Sequence, residues 1–444
     1  MPWCPKAKRE YKLGGINEMS YDFLWQIALI LVSTKVCGLI TRRFQMPQVV
    51  GALLAGLLLG PAVFGLLPSD SEMIKQLAEL GVIVIMFSAG METDIRDLKN
   101  AGKSGFLVAM LGVLVPLFGG AGLAAWLAPT ENMLQNFFIG TVLTATSVSI
   151  TVEALREMGR LQSRVGNTIL AAAIIDDILG IIALTIMTSL GGGGESIAIV
   201  LLKIVLFLVV CCFVYVVGLK ALDWYIEHTG RKDLRRFPIA AFVVCLMMAW
   251  IAEHFFGVAD ITGAFAAGLM IGATKKAGYI ASKFEPVQYL FLAPVFFASI
   301  GMTVVLPAMN TQIVIFSILL VVVAVLSKWL GCGVGAKLCG FSTHECNQIG
   351  LGMVCRGEVA LIVANKGAEV GLMPDALFGP VIIMVIISTI LTPILLKLAY
   401  RGEDALNLEE SPLENRNEAL EQLDIVTDQL LTREQEIKEK NQKH

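Results

Sequence analysis

The sequence predicts an all-α integral membrane protein with about thirteen transmembrane helices, and three observations support this fold class. The 444 residues are 56% hydrophobic and only 16% charged, whereas soluble proteins carry about 25% charged residues. The apolar residues fall in runs of about 20, which is the length that crosses the hydrocarbon core of a bilayer. Several runs also recur later in the chain at nearly constant spacing, which is typical of a duplicated membrane domain.

The apolar runs define a transmembrane domain over residues 21–402, between two polar tails. Residues 1–20 form a short N-terminal tail, and no small-residue cleavage site follows the first run as it would in a signal peptide. Residues 403–444 are predicted to form a cytoplasmic C-terminal tail with one amphipathic helix. The predicted spans are 21–41, 48–66, 73–91, 103–128, 133–156, 163–190, 196–222, 236–256, 258–274, 285–305, 310–338, 345–371 and 375–399.

The recurring segments predict two copies of a six-helix repeat, residues 21–190 and 236–400, joined by a linker helix over 196–222. An odd number of spans between the copies turns the second copy upside down in the membrane. Inverted repeats build many secondary transporters, whose ion sites lie at the repeat interface on crossing broken helices. The matching segments, at offsets of 212, 211 and 210 residues, are Gly51–Gly60 with Gly263–Gly272, Phe87–Met91 with Ala298–Met302, and Ile139–Gly140 with Ile349–Gly350.

Basic residues mark one set of loops, whereas the alternate loops carry only Lys75 and Lys366. Because basic loops stay in the cytoplasm, thirteen spans place the N-terminus outside and the C-terminus in the cytoplasm. The basic N-terminal tail weakly opposes this orientation. The basic loop residues are Arg42, Arg43, Arg96, Lys99, Lys103, Arg156, Arg160, Arg164, Arg231, Lys232, Arg235, Arg236, Lys275, Lys276, Lys283 and Lys337.

Composition argues against several other classes of protein. No basic stripe exists outside the short loops, so nucleic-acid binding is disfavoured. The nine cysteines lie mostly in apolar runs and the four histidines are scattered, so neither a zinc site, a disulfide framework nor a bound cofactor is predicted. A membrane protease with an aspartate dyad would need a second helix that carries an acid, so the sequence does not predict an enzyme.

Two adjacent acids, Asp176 and Asp177, stand in the middle of the apolar run 163–190. Each ionised acid near the midplane of a bilayer costs roughly 2.5–3.5 kcal/mol, which makes a functional role the first hypothesis. Neighbouring side chains on a helix point about 100° apart, so one acid can face a cavity while the other meets a base. The alternative is a structural pair that is buried against basic residues.

Two other runs carry polar residues at positions that correspond in the two repeats. Thr146 and Ser147 align with Arg356 and Gly357, and both pairs weaken a helix, as expected of crossing broken helices. The two hydroxyls could coordinate a hard cation, or they could bond back to their own helix. Arg356 and the nearby Glu358 must be paired or lie in a cavity; capping the broken helix ends is the favoured role, ahead of direct substrate contact.

Lys328 is isolated within the apolar run 310–338. A buried lysine needs an acidic partner to remain charged, and Asp176 or Asp177 is the obvious candidate. The alternative is that the side chain extends to the nearer membrane face.

Four of these segments together resemble the monovalent cation:proton antiporter superfamily. They are Ile174–Gly180, Thr144–Ser147, Phe87–Asp94 and Arg356–Ile362. The chain is most similar to the second branch, which holds NapA-like and GerN-like sodium/proton antiporters and Kef-type potassium systems. The likeness extends over residues 21–400.

This resemblance implies an NhaA-like antiporter fold of thirteen helices, with a core domain and a dimerisation domain, in a homodimer within the prokaryotic inner membrane. It implies that Asp177 carries the ion and the proton, that Asp176 pairs with Lys328 when no cation is bound, and that Thr146 and Ser147 line the unwound stretch. The Na⁺ ligands would be Asp177, Asp176 and Thr146.

The function implied by the resemblance is exchange of Na⁺ for protons by alternating access, with K⁺ or Li⁺ as possible further substrates. In this superfamily an Asp-Asp pair accompanies electrogenic exchange. The alternatives are a potassium/proton antiporter and a Kef-like gated potassium efflux system, although residues 403–444 are too few to form the nucleotide-binding domain that Kef systems usually add.

Overall fold

The computed structural model describes residues 22–43, 46–68, 71–127, 132–192, 196–228, 236–274, 276–303 and 311–401. Both predicted tails, 1–20 and 403–444, lie outside the described residues. Sixteen α-helices account for most of the described chain. They are α1 (Asp22–Arg43), α2 (Gln48–Leu59), α3 (Glu72–Glu92), α4 (Ile95–Leu127), α5 (Met133–Thr144), α6 (Val148–Glu157), α7 (Arg164–Leu190), α8 (Ile197–His228), α9 (Arg236–Phe256), α10 (Asp260–Gly272), α11 (Ala277–Val287), α12 (Ala293–Met302), α13 (Thr311–Leu338), α14 (Thr343–Gly352), α15 (Glu358–Glu369) and α16 (Phe378–Ala399).

Most of these helices have the length and composition of membrane spans. Ten helical segments of 21–33 residues among the described residues are long and apolar enough to cross a bilayer. Two of the ten, 133–157 and 277–302, combine successive helices. Three further apolar helical segments, at 48–59, 260–272 and 359–368, are shorter. The predicted all-α, multi-pass fold class is therefore confirmed.

Several helix boundaries differ from the predicted spans, such as the start of 285–305, which lies at Ala277 in α11; two others have clear local reasons. The helix expected over 48–66 ends at Leu59, because Gly60 and Pro61 do not support a further turn; the Gly60 amide closes the helix by donating to the Gly56 carbonyl. Helix α4 begins at Ile95 rather than at 103, since its first turns carry charged residues that a hydropathy criterion rejects but a helix accommodates.

The two spans expected over 133–156 and 345–371 are each broken into two helices. The first is interrupted between α5 and α6 at residues 145–147, and the second between α14 and α15 at residues 353–357. The interruptions meet: the Ser147 amide donates to the Cys355 carbonyl at 3.0 Å. A Cβ atom on Gly357 would lie 2.5 Å from the Cβ of Ser147, so only glycine fits at this crossing.

Interhelical packing divides most of the helices into two groups. In one group, α4 packs on α5, α7 and α13, and α13 also packs on α14 and α16. In the other, α2 packs on α1 and α12, and α10 packs on α3 and α9. Helices α6 and α7 lie where the groups meet, because α6 also touches α2 and α3, and α7 touches α8, which packs on α10; α16 touches α2 as well. The broken helices and the two adjacent acids thus lie close to the boundary between the groups.

Candidate functional site

The break after α5 exposes carbonyl oxygens that a continuous helix would have bonded. The C-terminal end of a helix also carries a partial negative charge, so cations are stabilising there. Lys328 Nζ donates to the Thr144 carbonyl at 3.0 Å, and Arg356 Nη1 donates to the Ala145 carbonyl at 2.8 Å. Both basic side chains are 0% exposed. Two buried cations therefore cap one broken helix end.

Asp176 on α7 supplies the counter-charge for Lys328 on α13. Lys328 Nζ lies 2.7 Å from Asp176 Oδ1, and the two side chains are 0% and 2% exposed. Gly112 on α4 packs against the same part of α13, where a Cβ would lie 2.5 Å from the Cys332 sulfur and in ordinary contact, at 3.6 Å, with Lys328 Nζ. Of the two partners that the sequence allowed for Lys328, the structure selects Asp176, and the lysine does not extend to a membrane face.

Arg356 joins the crossing point to the helices around it. Besides the bond to Ala145, its Nη1 lies 3.4 Å from Thr146 Oγ1, and its Nη2 donates to the Ala324 carbonyl of α13 at 3.4 Å. The hydroxyl of Thr389 on α16 donates to the carbonyl of Arg356. These contacts agree with a capping role for Arg356. The side chain of Glu358, its predicted companion, lies outside the described residues.

Asp177 faces a different environment from its neighbour. Its carboxylate lines a small cavity of about 10 Å³, which is roughly the space of one water molecule. One wall comes from Val148 at the start of α6, together with residues of α7. The opposite wall comes from Met86 on α3 and from Thr262 and Phe265 on α10. Thr262 Oγ1 lies 3.5 Å from Asp177 Oδ2.

Thr146 and Ser147 are buried within the break of the first broken helix. Thr146 Oγ1 donates to the Thr144 carbonyl at 3.3 Å, and Ser147 Oγ lies 3.3 Å from the hydroxyl of Ser149. Neither residue is among those lining the cavity beside Asp177, where Val148 contributes instead. Both hydroxyls therefore lie at the crossing. Thr146 contacts Thr144 and Arg356 there, and Ser147 contacts Ser149.

Sequence reasoning missed two kinds of group in this region. The carbonyl oxygens of Thr144 and Ala145 are free to accept side-chain hydrogen bonds only because the helix ends there. Backbone groups of this kind have no signal in the residue types of the sequence. Thr262 was also overlooked, although it immediately precedes Gly263, the first residue of a segment used to identify the repeat. Its position next to a repeated segment is the signal that could have identified it as a candidate site residue.

A second charged cluster links the two helix groups away from the crossing. Arg156 on α6 pairs with Glu92 on α3 at 3.1 Å and with Glu153 at 3.4 Å. Glu153 accepts a hydrogen bond at 3.2 Å from Gln288, which lies between α11 and α12. Glu157 accepts hydrogen bonds from two backbone amides at the start of α2, an arrangement that suits a carboxylate at a helix N-terminus.

Broken helices that cross beside buried charges define the class to which this protein belongs, the secondary transporters. A family model described as "Sodium/hydrogen exchanger, transmembrane" matches residues 29–399. The chain belongs to this sodium/hydrogen exchanger family.

Two curated relatives are similar over most of their length. The Na(+)/H(+)-K(+) antiporter GerN of Bacillus cereus is 39% identical over 387 residues, which cover 87% of this chain and 98% of GerN. A Na(+)/H(+) antiporter of Enterococcus hirae is 35% identical over 384 residues, with coverage of 85% and 97%. Among solved structures, the sodium proton antiporter MjNhaP1 of Methanocaldococcus jannaschii has a similar fold, with a TM-score of 0.68 at 22% identity, over 87% of this chain and 97% of that one.

Proposed function

We propose that this protein is a secondary active antiporter that exchanges Na⁺ for protons across the membrane by alternating access. The observation that carries the proposal is the separation of two adjacent acids, with Asp176 neutralised by Lys328 and Asp177 lining a cavity between the two helix groups. The names of the relatives from Bacillus cereus and Enterococcus hirae support the same exchange reaction.

In this proposal protons and Na⁺ compete for the carboxylate of Asp177. A hard cation prefers oxygen ligands, and Asp177, Asp176 and Thr146 are the proposed Na⁺ ligands. Recruiting Asp176 to the cation would weaken its 2.7 Å contact with Lys328. The lysine could then release its own proton during the cycle, so we propose that exchange is electrogenic.

Close glycine contacts support the proposed inverted repeats. A Cβ on Gly56 of α2 would lie 2.0 Å from the Ala298 carbonyl of α12. Gly268 of α10 is the counterpart of Gly56, and Phe87 of α3 is the counterpart of Ala298. A Cβ on Gly268 would lie 2.2 Å from the Phe87 carbonyl. The same tight contact thus occurs at matching places in the two halves.

A second pair of contacts follows the same relation. A Cβ on Gly140 of α5 would lie 2.0 Å from the Leu117 carbonyl of α4. At the corresponding place, a Cβ on Gly350 of α14 would lie 2.5 Å from the Trp329 carbonyl of α13. We therefore propose thirteen spans in two inverted repeats, with each broken helix pair counted as one span.

The packing groups support a division of labour between two domains. We propose that α4–α7 and α13–α16 form the ion-carrying core domain, and that α1–α3 and α9–α12 form the dimerisation domain, with α8 as linker. The core domain would move against the other in an elevator-like motion within a homodimer. The proposed setting is a prokaryotic inner membrane, with the N-terminus outside and the C-terminus in the cytoplasm.

The first test is Asp177→Asn, which keeps the size of the side chain but removes the carboxylate. Exchange should be abolished, because neither a proton nor a cation can then be carried at this position. Sodium-driven proton flux in proteoliposomes measures the effect. Asp97→Asn, at an exposed position in the first turn of α4, is the matched control and should exchange like the wild type. Wild-type flux through Asp177→Asn would overturn the assignment.

Potassium is the second candidate cation, because the relative from Bacillus cereus is named a Na(+)/H(+)-K(+) antiporter. The same proteoliposomes, supplied with K⁺ or Li⁺ in place of Na⁺, decide the substrate range. They also separate exchange from gated potassium efflux: an antiporter drives proton flux against a pH gradient when a cation gradient is imposed, whereas a pore does not couple the two.

A further inference from the structure

We propose that Thr262 on α10 completes the cation site opposite Asp177 and helps to determine which cation is bound. This inference rests on the proposed function, because it adds a further oxygen ligand to the same site. It also places one ligand outside the packing group that carries Asp177. In the terms proposed above, the dimerisation domain would contribute a residue to a site that the core domain carries.

The hydroxyl of Thr262 differs in its bonding from the other buried threonine hydroxyls of the described residues, which donate to backbone carbonyls. That of Thr141 donates to a carbonyl four residues earlier in its own helix, and those of Thr151 and Thr389 donate to carbonyls of other segments. The hydroxyl of Thr262 instead contacts Asp177 Oδ2 at 3.5 Å, across the boundary between α10 and α7. Thr262 is 8% exposed, so this contact lies inside the protein.

The position of Thr262 within its helix explains this difference. Thr262 is in the first turn of α10, which begins at Asp260, so the turn that would offer a carbonyl to a back-bonded hydroxyl has not yet formed. The carbonyl of Ala259 already accepts the backbone amide of Thr262 at 3.0 Å. The hydroxyl can therefore be directed toward a neighbouring element.

The cavity itself offers a cation very few oxygen ligands. Of the nine residues that line it, only Asp177 and Thr262 have side-chain oxygens; the others are apolar. A cation that sheds water on entering must replace the lost oxygens, because an apolar surface cannot compensate for them. The two oxygen-bearing side chains face each other from opposite walls of a space of about 10 Å³. Thr262 Oγ1, at 3.5 Å from Asp177 Oδ2, therefore offers an oxygen ligand on the far side of the site.

The location of Thr262 predicts that it acts in only part of the transport cycle. Helix α10 packs on α3 and α9, whereas α7 packs on α4 and α5. If these two groups slide past each other, Asp177 leaves Thr262 behind, and the cation loses one ligand. Thr262 would therefore strengthen cation binding in the arrangement seen here. Loss of its contact in the other arrangement would favour release of the cation.

The test is Thr262→Val, which preserves the shape of the side chain and removes its oxygen. Transport is measured in proteoliposomes as proton flux driven by Na⁺, Li⁺ or K⁺ at several pH values. The KM for Na⁺ should rise about tenfold, the effect expected when one hydrogen-bonding ligand to a charge is lost. The ratio of the KM values for Na⁺ and K⁺ should also change, while the maximal rate stays within about threefold. Thr262→Ser should restore the wild-type values.

The control is Thr274→Val, at a buried position two residues beyond the end of α10. The hydroxyl of Thr274 bonds to the Ile271 carbonyl, so its loss should leave the KM for every cation unchanged. Stabilisation of the purified protein by Na⁺ against heating gives a readout that is independent of transport, and it should need about tenfold more Na⁺ in Thr262→Val.

Unchanged KM values and an unchanged pH profile in Thr262→Val would overturn this inference. The proposed function is tested separately in the same vesicles by Asp177→Asn. If Asp177→Asn is inactive and Thr262→Val behaves as the wild type, only the role of Thr262 fails; if Asp177→Asn exchanges normally, the proposed function fails as well.

Discussion

Asp176 and Asp177 are neighbours in the chain, yet their carboxylates have different surroundings. Asp176 is 2% exposed and contacts Lys328, whereas Asp177 is half-buried and lines a cavity with Thr262. The separation follows from helix geometry, because successive side chains point about 100° apart. Two identical residue types can therefore take two roles without any change in the backbone.

Lys328→Gln tests the buried ion pair at the residue scale. Removing the lysine leaves the carboxylate of Asp176 buried without its counter-charge, which should destabilise the protein by about 3–5 kcal/mol. The loss is measured as a lower melting temperature of the purified protein in detergent. The fold should survive, since the crossing is also held by Arg356. Exchange should change its stoichiometry or its pH dependence.

The double variant Asp176→Asn/Lys328→Gln is the control for this prediction. It removes both charges, so the melting temperature should return most of the way to the wild-type value, because a buried pair adds little net stability. A melting temperature as low as that of Lys328→Gln would contradict the interpretation as an ion pair. Unchanged voltage dependence of transport in Lys328→Gln would remove the lysine from the mechanism.

At the scale of elements, the two broken helices depend on one another. The α5 end is capped by Arg356 from the second broken helix, and the end of α14 is capped by Thr151 on α6, whose hydroxyl donates to the Gly352 carbonyl at 2.8 Å. Each broken helix thus supplies partners for the other's unsatisfied backbone groups. Neither half of the crossing would be stable alone inside a membrane.

Gly357→Ala tests how closely the interruptions must approach. The added methyl group would lie 2.5 Å from the Cβ of Ser147, so the two segments must move apart. Because overpacking typically costs about 1–3 kcal/mol, the melting temperature and the yield of folded protein should both fall. Gly122→Ala on α4, where no atom lies within 4 Å of the added Cβ, is the control and should be tolerated. Equal stability of the two variants would argue against a tight crossing.

At the scale of the whole molecule, two helix groups meet along α6 and α7. Glu157 bonds to the start of α2, and Arg156 pairs with Glu92 of α3, so charged contacts join the groups away from the cavity. Any sliding of one group against the other must break these contacts as well as the contact of Thr262 with Asp177. The structure thus shows which interactions change if the groups move.

The predicted orientation is tested on the full-length chain with an epitope tag at each end. An odd number of spans places the two ends on opposite sides, and the basic loops place the C-terminus in the cytoplasm. An antibody should reach the N-terminal tag on intact spheroplasts and the C-terminal tag only after permeabilisation, as measured by fluorescence. Each tag serves as the control for the other. Tags accessible from the same side would contradict the odd number of spans, and reversed accessibility would contradict the orientation.

Much of the fold could be predicted from the sequence, because membrane helices are specified by local composition. The predicted span 236–256 matches α9, and 310–338 differs from α13 by one residue. The interruptions at 145–147 and 353–357 were foreseen only because the repeat aligned Thr146 with Arg356. Helix ends that depend on a turn, such as Leu59, were less predictable than apolar stretches.

The sequence by itself determined the membrane class, the number of apolar runs, the adjacent acids and the isolated lysine. These follow from hydropathy and from the cost of placing a charge in hydrocarbon, which act within one segment. The chemistry of the residues left Asp176 and Asp177 open as partners of Lys328, and the family resemblance implied Asp176. Only the tertiary structure shows the Lys328–Asp176 contact itself, and it alone places Thr262 against Asp177 from 85 residues away. Distant contacts of this kind depend on how whole helices pack and rotate, which no single segment encodes.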